Sequence, residues 1–212
     1  HISDVSYSGG NFWYGGIPAY LEKWMNARTK VHLNFMPGAS TVKSVHLSWP
    51  PKDMPEKQVQ RLSESVDPEG LFKQPMLLMS SLHSDTKVNF TQAEVESLRK
   101  YLIEKEGFLF IDDDAGEASA FYQSIRSQLR FALPEYRIQQ IPNGHEIYRH
   151  YYEMGGPPAG SIPWMGRPED RRDYLEGIFI GDRLAVLISD RGYWDALIGR
   201  GPYSPGILRF CT

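Results

Sequence analysis

The sequence has one cysteine, Cys211, in 212 residues. A single thiol can form neither an intrachain disulfide nor a thiolate metal site. Its place beside the chain end is a poor one for a catalytic nucleophile. Positive charge is also scarce, with 23 Lys and Arg against 26 Asp and Glu and a formal charge of −3. Proteins that grip nucleic acid by its phosphates carry a basic field or stripe, so the charge argues against nucleic acid as the main partner. Arg167, Arg171 and Arg172 do cluster, but Glu169, Asp170 and Asp173 interleave them in the manner of a solvated loop. No apolar run approaches the roughly 20 residues of a membrane-spanning helix, so no span is expected in this chain.

Several catalytic signatures are missing too. There is no Gly-x-Ser-x-Gly elbow, which argues against a serine hydrolase. The loop SGGNFWYGG lies between an apparent strand and helix, yet it fits neither the dinucleotide fingerprint nor the P-loop. Its glycines read as turn formers, while Phe12, Trp13 and Tyr14 either wall a pocket or cover an edge of the core. In NGHEIYRHYY the two histidines, His145 and His150, stand one residue too far apart for the His-Glu-x-x-His zinc motif. His150 reads as a packed or surface residue. His145 follows the turn Pro142-Asn143-Gly144.

What is present is ordinary globular material, 41% hydrophobic and 23% charged, long enough for one domain over residues 1–212. Ile2 to Tyr7 reads as a strand and residues 18 to 28 as an amphipathic helix behind Pro18. Thr29 to Phe35 and Val42 to Ser48 are strand-like, and Trp49 to Gly70 is an excursion containing one short helix. The middle is clearer. Gln74 to Ser80 is a short apolar run of the kind covered on both faces. Thr91 and Glu94 form a capping box ahead of Val95, Leu98, Tyr101 and Leu102 at helical spacing. Gly107 ends that helix, and Phe108 to Ile111 is a second buried strand. Asp114 is placed to cap the next helix, with Phe121, Ile125 and Leu129 along one face. Strand, helix, strand, helix with tight links predicts parallel strands and right-handed crossovers. Tyr136 to Ile141 is a further candidate strand. Leu175 to Ile180 and Arg183 to Ser189 read as a hairpin around Gly181-Asp182. The stretch from Gly155 to Arg172 reads as a long loop, and the tail from Gly192 carries no strong helix signal.

Parallel neighbours emit their outgoing loops on one edge of a sheet, and that carboxyl edge is where open α/β sheets bind ligands. One strand delivers Ser80, Ser81 and His83 there; the next delivers Asp112, Asp113 and Asp114. Three consecutive aspartates raise one another's pKa unless something compensates. Capping accounts for Asp114. For Asp112 and Asp113 the remaining choices are a divalent cation held by both, a nearby arginine such as Arg126, a protonated carboxyl acting as acid or base, or plain solvation. His145 is expected to reach the same rim as His83.

The stretches VSYSGGNFWY, QPMLLMSSLHSDTKVNFTQAEVESLRKYLIEKEGFLFIDDDAG, IPNGHEIYRHYYEM and LAVLISDRGYWDAL resemble, in order, a bacterial family catalogued as domain of unknown function number four-one-five-nine. Leu82-His83 stands where that family usually has Gly-His, and Glu106-Gly107 where it has two glycines. The resemblance implies a flavodoxin-like fold of the class I glutamine amidotransferase type, a three-layer α/β sandwich with a mainly parallel central sheet. Members commonly run on with a further apolar segment, so a final element is expected to be missing here. The start at His1 reads as a mature or trimmed terminus. In true amidotransferases a cysteine occupies the elbow that Asp113 or Asp114 fills here, and an aspartate forms no thioester. Glutaminase activity is therefore not expected. The resemblance places the chain in the cell envelope, periplasmic or secreted, although the composition suits cytoplasm equally.

The expected function is binding of a small polar ligand, a glycan or peptide, at the rim of His83 and Asp112 to Asp114. Ser81, Trp13, Tyr14 and Arg126 are the further ligand contacts. One alternative makes the rim a hydrolytic centre, with Asp113, Asp112, His83 and His145 catalytic and a divalent metal on Asp112 and Asp113. The other is a protein-interaction module of an envelope complex that docks through its aromatic loops.

Overall fold

The computed structural model describes residues 2–7, 10–11, 19–28, 44–50, 55–63, 66–67, 70–81, 85–113, 115–159, 173–194 and 204–210. Its strands are β1 (Ile2–Tyr7), β2 (Gly10–Asn11), β3 (Ser44–His46), β4 (Val66–Asp67), β5 (Met76–Ser81), β6 (Phe108–Asp113), β7 (Ile138–Gln140), β8 (Glu176–Ile180) and β9 (Arg183–Ser189). The helices are α1 (Ala19–Arg28), α2 (Glu56–Ser63), α3 (Gln92–Arg99), α4 (Ala120–Ala132) and α5 (Ser204–Phe210).

These strands make one open sheet in the order β4-β3-β1-β5-β6-β9-β8-β7, with β2 paired on β1. From β4 through β9 every pairing is parallel; β8 and β7 close that side antiparallel. The protein is thus a mixed α/β fold whose central strands are parallel. The hairpin read around Gly181-Asp182 is the β8–β9 pair.

Period-two alternation divides the central strands between two cores. Leu77, Met79, Leu109, Ile111, Val186 and Ile188 face one side, against Val95 and Leu98 of α3 and Phe121, Ile125 and Leu129 of α4. Leu78, Phe110 and Leu187 face the other, with Met25 of α1 and Ile207 and Leu208 of α5. Helices therefore cover both faces, which is why β5 and β6 are apolar at every central position rather than at alternate ones.

Local signals account for the helix boundaries. Thr91 Oγ1 accepts from the Glu94 N–H at 3.3 Å, and the Thr91 N–H donates to Glu94 Oε2 at 2.7 Å, the reciprocal box expected at α3. The helix runs on as a π-helical segment, Lys100–Glu104. Glu106 then adopts φ 54°, and Gly107 lies under the Tyr101 ring, where a Cβ would stand 2.2 Å from Cζ. At α4 the cap is Ser119, whose Oγ accepts from the Tyr122 N–H at 2.9 Å, and not Asp114. Gly116 at φ 80° turns the chain between β6 and α4, so the helix starts later than the aspartate run suggests.

The tail also differs from expectation. Helix α5 forms there, with Ile207 and Leu208 fully buried. Seven residues are too few for local propensity to hold a helix; packing against the second core supplies the stability. The strand-like reading of Thr29 to Phe35 and most of the loop from Gly155 to Arg172 lie outside the described residues.

Candidate functional site at the carboxyl edge

The strands β5 and β6 are adjacent and parallel, with Ser80 opposite Asp112 and Ser81 opposite Asp113. On the far side of β6, Asp112 pairs with Ser189 of β9. Three central strands thus deliver polar residues to one edge at one level. The β1–β5 ladder ends earlier, at Asp4 and Leu78, while β5–β6 pairing continues to Ser81. Beyond Asp4, β1 pairs instead with β3 through Val5 and Ser6. The chain runs from β1 to β3 on one side and later to β5 on the other, so this divergence coincides with the point where strand order reverses. Open α/β sheets bind ligands outside the strand ends at such a reversal.

Asp112 and Asp113 leave β6 on opposite faces. Asp112 is fully buried and its Oδ2 accepts from the Trp194 N–H at 2.7 Å. Its Oδ1 is buried with no hydrogen-bond partner among the described residues. Burial pushes this carboxyl up to about 7, and the Asp113 charge adds to the rise. The Trp194 and Tyr193 N–H groups and the Ser189 hydroxyl favour the anion but do not offset the desolvation. Gly192 at φ 63° makes the turn that returns Tyr193 and Trp194 to Asp112, and its N–H donates to the Asp113 carbonyl at 3.0 Å. The indole of Trp194 is half-buried, and its Nε1 also lacks a partner among the described residues.

Asp113 points toward α4. Its Oδ2 accepts from the Ser119 hydroxyl and its Oδ1 from the Ala115 N–H at 3.2 Å. Ser119 is the N-cap, so Asp113 holds the loop that starts α4. With the two carboxylates on opposite faces, one cation does not bridge them. Among the described residues no group of three or more His, Cys, Asp or Glu is arranged to hold a metal ion.

Arg126 meets neither aspartate as a hydrogen-bond partner. It pairs with Glu176, to which the Tyr122 hydroxyl also donates at 2.6 Å. Glu176 sits opposite Ile188 and so belongs to the same carboxyl edge on the α4 face. Burial, followed by the charge of Asp190, holds the Tyr122 phenol well above its ordinary range. Asp190 and Arg191 continue the edge beyond β9, both nearly buried. Arg191 Nη1 donates to the Pro158 carbonyl at 3.3 Å, which the Tyr193 hydroxyl reaches at 2.7 Å.

His145 lies away from this rim. Its Nδ1 accepts from the Ile147 N–H at 3.2 Å and its ring packs edge-on to Phe179 at 5.4 Å. Phe179 pairs with Leu184, five residues back along β9 from Ser189, about 16 Å of strand. The turn at Pro142 folds His145 onto β8 as a cap. His150 is exposed. His83, Asp114, Trp13 and Tyr14 lie outside the described residues, as does the side chain of Ser81.

Sequence reasoning missed Glu176, Ser189, Asp190, Arg191 and Trp194. The signal was Ser-Asp-Arg-Gly directly after an apolar run, polar residues and a turn where a parallel strand ends. It also missed His46, the last residue of β3 and partner of Ser6. His46 is 4% exposed, its Nδ1 accepts from the Ser48 N–H at 3.1 Å, and its Nε2 has no partner among the described residues. Burial lowers its pKa despite the charge of Glu94.

The profile of a domain of unknown function, DUF4159, matches residues 53–197, which takes in β5, β6, β8, β9 and all of the edge just described except His46. The chain belongs to that family. A comparison with curated proteins finds no match.

Proposed function

We propose that the protein is a flavodoxin-like, amidotransferase-like domain that binds a small polar ligand, a glycan or a peptide, at the carboxyl edge around Asp112, and that it works in the cell envelope. The order β3-β1-β5-β6-β9 is the 2-1-3-4-5 order of flavodoxin-like sheets, which supports the fold. Envelope placement rests on the resemblance of the sequence alone. The single observation that carries the binding reading is Asp112 Oδ1, a fully buried carboxyl oxygen without a partner among the described residues, at the carboxyl edge one strand beyond the point where strand order reverses. Leaving such a group unsatisfied costs about 1–3 kcal/mol or more, and a ligand that donates to it recovers that loss. Isotope-labelled protein titrated with saccharides, amino acids and dipeptides tests this. Shifts confined to the amides of Asp112 and Gly192 to Trp194, and absent in Asp112→Asn, support the reading; shifts elsewhere or none overturn it.

The hydrolase reading is favoured by a different feature, the Asp112 carboxyl raised to about 7. A group that titrates near operating pH suits proton transfer. On this reading Asp112 is the acid or base, and His145, packed against Phe179, takes no part.

A further inference from the structure

Two buried polar atoms, on two residues in contact, lack partners among the described residues: Asp112 Oδ1, an acceptor, and Trp194 Nε1, a donor. They belong to residues already joined by the 2.7 Å bond from the Trp194 N–H to Asp112 Oδ2. We propose that the ligand at this edge is a neutral, polyhydroxylated molecule, a sugar, whose hydroxyls donate to Asp112 Oδ1 and accept from Trp194 Nε1. This rests on the reading of the edge as a binding site and names the class of ligand.

The charges around the site decide against an anion. The described arginines of the edge have other work: Arg126 pairs with Glu176, and Arg191 donates to the Pro158 carbonyl. Asp113 and Asp190 stand at the same edge. A phosphate or carboxylate brought here would meet the buried negative charge of Asp113 and Asp190. Hydroxyls suit the two atoms instead, since each is both donor and acceptor and carries no charge to desolvate.

Topology decides against an extended peptide. Peptides that bind to sheets do so by adding a strand to an open edge. Here β6 is flanked by β5 on one side and β9 on the other, so its backbone is already paired at this level. What remains is recognition by side chains. A half-buried indole beside a carboxyl supplies an apolar surface for the C–H face of a pyranose and a polar pair for its hydroxyls.

The test compares three probes on the labelled protein: the trisaccharide of N-acetylglucosamine, glucose 6-phosphate and trialanine. The neutral trisaccharide is expected to shift the Trp194 indole N–H and the Asp112 amide. Trp194→Phe, which keeps the ring and the backbone N–H, should weaken it about tenfold, the loss of one buried hydrogen bond. Equal affinity in Trp194→Phe overturns the inference. So does tighter binding of the phosphate or of trialanine at the same amides, while leaving the edge as a binding site. If no probe moves those amides, both the inference and the binding reading fall.

Discussion

Asp112 accepts the Trp194 backbone N–H at 2.7 Å, a contact that ties the end of β6 to the turn following β9 and buries a carboxyl group in doing so. Desolvation is the larger effect there, and the carboxyl rises to about 7. In the unfolded chain the same group titrates near 3.8. Between these values the folded state holds a proton that the unfolded state has released, so stability falls as pH rises. The window runs from about pH 4 to 7 and the loss amounts to about 4 kcal/mol. Asp112→Asn should flatten that slope. It should be more stable than the parent by about 1–3 kcal/mol at pH 8, allowing for its own unpaired amide, and little changed at pH 4. Urea denaturation at several pH values reads this directly. Parallel pH profiles of parent and variant would mean that Asp112 ionises normally.

Arg126 and Glu176 form a pair whose side chains are only 15% and 10% exposed. Removing one partner of a buried pair leaves the other charge stranded, at a cost of about 3–5 kcal/mol. Arg126→Met should therefore destabilise strongly, and Glu176→Gln added to it should recover more than half of the loss. Tyr122→Phe, which deletes the hydroxyl that donates to Glu176, should cost about 1 kcal/mol. A double-mutant cycle with no coupling between positions 126 and 176 would show that solvent screens the pair.

The link from α3 to β6 makes opposite demands on two adjacent residues. Glu106 holds φ 54°, a region that costs a residue with a Cβ about 1–2 kcal/mol. Glycine removes that strain but adds freedom to the unfolded chain, worth up to about 1 kcal/mol. Glu106→Gly should come out neutral to about 1 kcal/mol stabilising, and Glu106→Val clearly destabilising. Gly107 is limited by space instead, because a Cβ there meets the Tyr101 ring at 2.2 Å. Gly107→Ala must displace a fully buried ring whose hydroxyl bonds the Phe108 carbonyl at 3.2 Å, and should cost at least about 2 kcal/mol. Thermal melts of the three variants give the order.

Sequence signals succeeded where the controlling physics was local. The Thr91–Glu94 box, the apolar runs of β5 and β6 and the turn at Gly181-Asp182 each depend on residues a few positions apart, and all three formed as read. The parallel direction of β5 and β6 followed from the tight strand-helix-strand spacing, while their adjacency, which the spacing left open, is a finding of the fold. Failures came where distant contacts decide. Helix α5 exists because Ile207 and Leu208 find the second core. Arg126 turns to Glu176, 50 residues away in sequence, and no pattern in the chain announces that meeting. His145 was placed at the rim from a turn signal alone, but the direction of that turn depends on Phe179. The aspartate run misled differently: reading three neighbours as one cluster ignored the alternation that sends Asp112 and Asp113 to opposite sides of the sheet.

Asp113 is where that alternation makes its sharpest prediction. Its two oxygens accept from Ser119 Oγ and the Ala115 N–H, and Ser119 in turn accepts from the Tyr122 N–H. The carboxylate therefore fixes the rotamer of a helix cap, and removing it withdraws acceptors from two donors at once. Asp113→Ala should destabilise by about 2–3 kcal/mol, a cap and a buried hydrogen bond together. Ser119→Ala should cost about 1 kcal/mol by itself. The effects should not add, because each substitution breaks the same Ser119–Asp113 bond; the double variant should cost well under the sum of the two single losses. Hydrogen exchange localises the damage: amides in the first turn of α4 should lose protection while those of β5 and β9 keep theirs. Loss of protection throughout the sheet, or strict additivity, would mean that Asp113 supports the fold by some route other than the Ser119 cap.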